Sequence, residues 1–300
     1  MGARGEREAF STVEVRVSVI CTARDAEGTL ARTVQSVLEQ DMAEWEMIIV
    51  DDGSTDRTLE IARAFAARDG RIRIVATPGI GRGRALNLAV AHARANLIAN
   101  IDADDESHPV RLRLQLQAAQ QHPEFGVICS KHVLVTDHVD PVWPEHIEAS
   151  VRPVDVTHRL TRRNPVVHSS ALLRKDVLLS AGGYSADRRD QFDYELWVRL
   201  AERGCRIGRI EAPLVAKRQH DAQFFDNSPR LAYALASAQI QVRATRSLGG
   251  GVPAFALIPL RVLWLLLPRR LRLRLHARRF AGLRDSDRPS RSSPKRIGRR

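Results

Sequence analysis

Cysteine is scarce in this chain of 300 residues: Cys21, Cys129 and Cys205 stand far apart. Three scattered thiols neither build a disulfide framework nor match the spacing of a zinc site, and they point to a reducing, cytoplasmic compartment. Long apolar runs are missing as well. Met1 to Thr12 is polar with no apolar centre, so no signal peptide is expected. Val252 to Leu267 is strongly apolar, but Pro253, Pro259 and Arg261 interrupt it, and it is shorter than the roughly 20 apolar residues of a membrane-spanning helix. No internal repeat is evident.

The body of the chain also lacks a net charge. The formal total is +12, yet Arg261 to Arg300 alone holds 14 Lys/Arg against 2 Asp/Glu. The other 260 residues carry 33 basic and 33 acidic groups and are electrically balanced. A nucleic-acid-binding surface is therefore not expected, whereas a basic tail drawn to an acidic surface is. Arg269 to Arg279 interleaves Arg with Leu, so residues 252–285 read as an apolar and basic helical segment suited to an anionic membrane surface. The alternative is a helix packed on the domain, followed by a disordered basic end. Ser286 to Arg300 reads as disordered, as does the N-terminus over residues 1–14.

What the chain does have is acid at the ends of apolar runs. Ala95 to Ile101 reads as a buried strand, and Asp102, Asp104 and Asp105 follow it at once. Residues two apart on an extended chain point to the same side, so Asp102 and Asp104 can face one point. Crowded carboxylates need a cation, and an all-oxygen set suits Mg2+ or Mn2+, with substrate phosphates completing the shell. A second acidic station, Asp51-Asp52-Gly53-Ser54, ends the run Glu46 to Val50.

Strand and helix patterns alternate through the first half. Strands are expected at Val15–Cys21, Glu46–Val50, Arg71–Ala76 and Ala95–Ile101, with helices at about Thr29–Gln40, Thr58–Ala67 and Arg84–Arg94. This alternation predicts an α/β fold, a mostly parallel Rossmann-like sheet with helices on both faces. Ligands in such sheets lie outside the carboxyl ends of the strands, where both acidic stations fall. Further on, the pattern predicts helices at Arg111–Gln121, Asp193–Arg203 and Arg230–Arg243. It predicts strands at Gly126–Leu134 and Val166–Leu173, with a boundary at Gly249-Gly250-Gly251.

Several of these segments occur together, in order, in one known family. Val17-Ser18-Val19-Ile20, Gln35 to Gln40, Ile48 to Asp56, Asp102 to Asp105, Pro109 to Leu112, Gly182-Gly183-Tyr184 and Asp193 to Trp197 resemble the family 2 glycosyltransferases from about Val15 to Gln223. The resemblance implies a GT-A fold over residues 15–248, with a nucleotide-sugar-binding half (15–125) and an acceptor-binding half (126–248). It also implies a nucleotide-diphosphate sugar donor, a UDP-sugar being the first expectation, and transfer with inversion to a saccharide or lipid-linked hydroxyl. Thr22, Asp25 and Asp52 would line the nucleoside pocket, and Arg82 would lie near the donor phosphates. Asp102 would sit by the ribose or metal, and Asp104 would be the principal metal ligand. Asp193 would be the catalytic base, His168 would lie on the acceptor side, and His220 would approach the diphosphate or metal. The chain departs from the family where Thr22, Arg24 and Asp25 replace the common Pro, Tyr and Asn, and where Phe192 replaces an acid before Asp193.

Two other readings stay open on sequence alone. A nucleotidyltransferase also places acids at strand ends, but its basic loop follows the first strand, whereas Gly81-Arg82-Gly83-Arg84 comes later here. A nucleotide-sugar-binding scaffold without catalysis would have no need of Asp102, Asp104 and Asp193 together.

Overall fold

The computed structural model describes residues 14–136, 139–144, 147, 152–188, 190–219 and 230–267. Four strands of the first half, β1 (Val17–Ala23), β2 (Trp45–Asp52), β3 (Ile72–Thr77) and β4 (Leu97–Asn100), run parallel in the order β3-β2-β1-β4. Helices α1 (Leu30–Leu38), α2 (Thr58–Ala66) and α3 (Arg82–His92) form the crossovers. Both faces of β1 and β2 are covered, and so burial runs almost unbroken along both strands, the polar Ser18 and Glu46 included. Because the four strands are parallel, their carboxyl ends form a single rim.

The sheet continues into the second half and changes direction there. β5 (Glu106–Ser107) and α4 (Arg111–Gln121) lead to the long β6 (Phe125–Thr136). After β7 (Val154–Asp155), β8 (Leu172–Arg174) pairs antiparallel with both β4 and β6. Helices α5 (Lys175–Ser180) and α6 (Phe192–Ala201) precede β9 (Arg206–Gln219), which runs parallel to β6. Among the described residues this makes one nine-stranded sheet, ordered β3-β2-β1-β4-β8-β6-β9-β5, with β7 on the outer side of β9. The α/β architecture expected from the sequence is present, with its parallel portion concentrated where the acids lie.

Two details differ from the sequence reading. Val166 to Leu173 is not one strand, because a 3-10 turn at His168–Ser170 delays β8 to Leu172. That turn brings His168, Ser169 and Ser170 into the interior, where they form polar contacts a strand would not allow. Strand β9 was not anticipated at all: Pro213 and five charged residues break its apolar pattern, and Pro213 is accommodated where the β6–β9 register shifts.

Helix α7 (Arg230–Ser247) rests on the domain through Gln241 and Thr245, both of which donate to the Thr161 carbonyl. Gly249 and Gly250 then turn the chain into α8 (Gly251–Leu266), which packs on α7. The triple glycine is therefore a helix-to-helix turn. Among the described residues no helix is long and apolar enough to cross a membrane. The expected disordered ends (1–14 and 286–300), except for Glu14, and all of the basic segment after Leu267 lie outside the described residues.

Candidate active site

The rim of parallel strand ends is held by loops that bond to one another. Asp25, in a left-handed conformation (φ 49°), accepts from the Thr55 amide (2.8 Å) and hydroxyl (3.1 Å). Its own amide donates to the Ser54 hydroxyl at 3.1 Å, which fastens the loop after β1 to the loop after β2. Asp52 accepts from the Thr77 hydroxyl (2.8 Å) and from the amides of Ile80 (2.7 Å) and Gly81 (3.0 Å). Its carboxylate thus sets the course of residues 78–81 and the start of α3, which carries Arg82. Gly53 is required between these loops, because it has φ 75° and a Cβ there would lie 2.7 Å from the Gly79 nitrogen. Thr22, near the end of β1, is half-buried beside them.

Asp102 lies just beyond β4. Its Oδ1 accepts from the Arg82 guanidinium and from His168 Nδ1, the latter at 3.1 Å. Burial opposes ionisation of Asp102, but Arg82 and His168 outweigh it and hold the carboxyl well below the usual carboxylate range. The ionised acid is acceptor-only, so His168 Nδ1 must carry the proton toward it. His168 Nε2 pairs with the Tyr184 hydroxyl at 3.2 Å, which accepts from the Asn100 amide at 2.9 Å. Tyr184 is itself fixed by Asn87, which donates to its carbonyl and accepts from its amide, both at 2.8 Å.

Asp102, Asp104 and Asp105 each offer an oxygen within 4.8 Å of the others. Asp105 is buried, and both its oxygens are committed: Oδ2 accepts from the Ser169 hydroxyl and Oδ1 from the Arg218 amide at 3.0 Å. Burial and the neighbouring Asp104 and Asp102 push its carboxyl up to about 8. Three carboxyls packed this closely form a hard, all-oxygen donor set that fits Mg2+ or Mn2+. Asp102 and Asp104 are the two of this set that the sequence reading expects as ligands.

Asp193 lies in the first turn of α6, and its Oδ2 accepts from the Asn164 side-chain amide at 2.8 Å. Phe192, immediately before it, touches both partners of Asp102. The Arg82 guanidinium stacks 4.8 Å from its ring centroid, and the His168 ring meets it edge-on at 5.3 Å. The third acid of the sequence reading is thus next in the chain to the ring that Arg82 and His168 meet. Gln191 starts the helix in a left-handed conformation (φ 52°), an unusual backbone for a side chain of that size.

His168, expected on the acceptor side, is buried among Tyr184, Phe192 and Trp197 and bonded to Asp102. His220 lies outside the described residues. The residues that sequence reasoning left without a role are Asp105, Tyr184, Arg111 and Arg218. Arg111 is fully buried, bonded to Gln115, Ser107 and the Asn100 carbonyl, and pushed down to about 9 mainly by burial. Arg111 and Tyr184 stood in the motifs that carried the family resemblance, and that was the signal available for them. A cleft of about 890 Å³ between Phe125, Asp155, Arg206 and Pro213 lies toward the other end of β6 and β9 from Arg218.

An acid cluster facing a guanidinium, at the carboxyl rim of a parallel sheet that continues into antiparallel strands, defines an α/β transferase of the GT-A type. A family model, Glycosyl transferase family 2, matches residues 18–179, and the chain belongs to that family. It is 31% identical over 237 residues to the putative glycosyltransferase EpsE of Bacillus subtilis, spanning 78% of this chain and 83% of that one. The putative teichuronic acid biosynthesis glycosyltransferase TuaG of Bacillus subtilis is 39% identical over 102 residues, 34% of this chain and 40% of that one. Among solved structures, S. aureus TarS 1–349 in complex with UDP-GlcNAc aligns with a TM-score of 0.62 at 17% identity, over 76% of this chain and 66% of that one. The mannosyltransferase PcManGT of Pyrobaculum calidifontis, in complex with GDP-Man and Mn2+, aligns with a TM-score of 0.57 at 21% identity, over 93% and 77%. The chain is a glycosyltransferase, and the nucleotidyltransferase reading falls.

Proposed function

We propose that this glycosyltransferase acts in the cytoplasm, inverts the anomeric centre, and builds cell-envelope polysaccharide by moving a sugar from a nucleotide-diphosphate donor to a saccharide or lipid-linked hydroxyl. The observation that carries the reading is that Arg82 and His168, both bonded to Asp102, meet on the Phe192 ring, directly before Asp193. The names of relatives support the envelope assignment, teichuronic acid biosynthesis for one and amylovoran biosynthesis for the Erwinia amylovora protein AmsE. The three free cysteines suit a reducing compartment. UDP is the first donor nucleotide to test, since one fold neighbour is complexed with UDP-GlcNAc, and GDP is the second, after the neighbour complexed with GDP-Man.

Each residue then has a task. Thr22, Asp25 and Asp52 border the nucleoside end of the crevice, Asp52 by fixing the loop that presents Arg82. Asp102 and Asp104 would hold Mg2+ or Mn2+, which supplies Lewis-acid neutralisation of the leaving diphosphate. His168 keeps Asp102 turned toward that position, and Arg82 is the protein's own positive charge for the phosphates. The acceptor hydroxyl attacks the anomeric carbon from the face opposite the nucleotide. Its proton passes to Asp193 Oδ1, the oxygen not held by Asn164, as the bond to the diphosphate oxygen breaks with its electron pair. Proton transfer concerted with attack is what lets a carboxylate serve as base toward an alcohol.

A panel of nucleotide sugars, each tested for Mg2+- or Mn2+-dependent hydrolysis and for thermal stabilisation of the protein, tests the reading. One donor should stabilise the protein and be turned over with metal. Binding without turnover, even with candidate acceptors present, would return the non-catalytic scaffold to first place.

A further inference from the structure

Helix α8 is a helix without a polar face. Its sixteen residues contain one charged side chain, Arg261. A helix that is apolar all round belongs in an interior, yet this one is covered along a single narrow stripe. Among the helix residues whose side chains are described, only Ala254 and Ile258, one turn apart, are buried. Val252 is 81% exposed and Leu260 and Leu263 are each 62% exposed, with Phe255 and Leu266 also open to solvent. These five fall three to five residues apart, so they form one broad apolar surface along the side away from Ala254 and Ile258. The turn before the helix is closely packed, since a Cβ at Gly250 would lie 2.9 Å from Thr161 Cβ and Thr245 Cγ2. The bare face is therefore presented from a firm attachment.

Charge selects what covers it. Residues 269–279 follow almost at once and contain six arginines and no acid, and the final 40 residues account for the whole +12 of the chain. At about 1.5 Å per residue α8 is roughly 24 Å long, short of the ~30 Å hydrocarbon core. It suits a helix lying along a bilayer rather than through it. A second copy of the chain would bring another +12 to the same place, and that repulsion disfavours self-association through this face.

We propose that the exposed face of α8, together with the arginines that follow it in the sequence at 269–279, docks the enzyme on an anionic phospholipid surface. Leucines and Val252 enter the headgroup boundary while the arginines meet lipid phosphates and other acidic headgroups. The attachment is independent of donor chemistry, because none of these residues belongs to the acid cluster.

The full-length protein is sedimented with vesicles of phosphatidylcholine alone and with vesicles that also contain phosphatidylglycerol. It should pellet with the second and stay in solution with the first. Leu260→Glu with Leu263→Glu, and separately Arg269, Arg270, Arg272 and Arg274 all changed to Gln, should each weaken vesicle binding by about tenfold or more. Added salt should weaken binding of the wild type, and both variants should keep its melting temperature and its metal-dependent donor hydrolysis. Equal pelleting with both vesicle types, or none with either, overturns the proposal. So does a concentration-dependent dimer that Leu260→Glu with Leu263→Glu abolishes while wild-type vesicle binding is absent, for the face would then belong to a second copy.

Discussion

The two halves of this sheet are built by different rules. From β1 to β4 the strands are parallel and fully covered, and the loops at their carboxyl ends are bonded to each other through Asp25 and Asp52. From β5 onward, short antiparallel strands alternate with the long, irregular β6 and β9 and with 3-10 turns at Thr157–Thr161 and His168–Ser170. The first half holds groups suited to a constant chemistry of nucleotide, phosphate and metal. The second contributes Asn164, His168, Tyr184 and Asp193, which stand on loops, 3-10 turns and a helix start rather than on parallel strand ends. A fixed platform and an adjustable wall is the division of labour the difference implies.

Asp193→Asn puts the largest strain on that division. It removes the proton acceptor but no bond of the first half, so transfer should fall by roughly 10²- to 10⁴-fold while donor binding persists. Transfer at the wild-type rate would leave the second half without its base.

Glu46 tests the platform. It is fully buried on β2 and accepts from the Ser18 hydroxyl (2.7 Å), the Arg94 amide (2.6 Å) and the Arg73 and Arg94 guanidinium groups (both 2.8 Å). Glu46→Ala strands buried donors and half-covered charges, and should cost about 3–5 kcal/mol in urea unfolding. A loss below about 1 kcal/mol would mean that the platform is held by its apolar layers alone.

His168→Gln addresses the seam between the halves. If the ring orients Asp102, Mn2+ affinity measured by paramagnetic resonance should weaken about 10- to 100-fold. An unchanged affinity accompanied by a poorer acceptor KM would restore the acceptor-side role expected from sequence.

The smallest effect is an acid dependence. Burial pushes the Glu46 carboxyl up, but its hydrogen bonds to Arg94 and Ser18 and the charge of Arg73 prevail, so it is lowered in the folded protein. A lowered acid stabilises above its unfolded value and loses that contribution as pH falls through the folded one. The urea midpoint of the wild type should therefore drop below about pH 4.3 more steeply than that of Glu46→Gln. Parallel curves would show that other carboxylates dominate.

The platform was legible in the sequence because its signals are local. Mostly apolar strands, helical spacing of Leu30, Val34 and Val37, and acids at strand ends each read correctly within a few residues. The wall was not, because its order comes from distant partners. The 3-10 turn at His168 exists to bury three polar side chains against Asp102, Asp105 and the Ser130 carbonyl. Strand β9 is held by β6, β5 and β7, and no alternation in its own residues announces it. Asp105 reads only as an acid that follows the Asp102 and Asp104 pair, yet the fold makes it a brace with both oxygens committed.

That brace limits how freely the enzyme can be redesigned. The Arg218 amide, one residue before the end of β9, is tied to the residue next to Asp104. Arg218 also clasps Glu106 and the Thr136 carbonyl. Swapping this edge to admit a new acceptor would tug on the acids that grip the cation, so a change of partner sugar and a change of catalytic speed arrive as one inherited package.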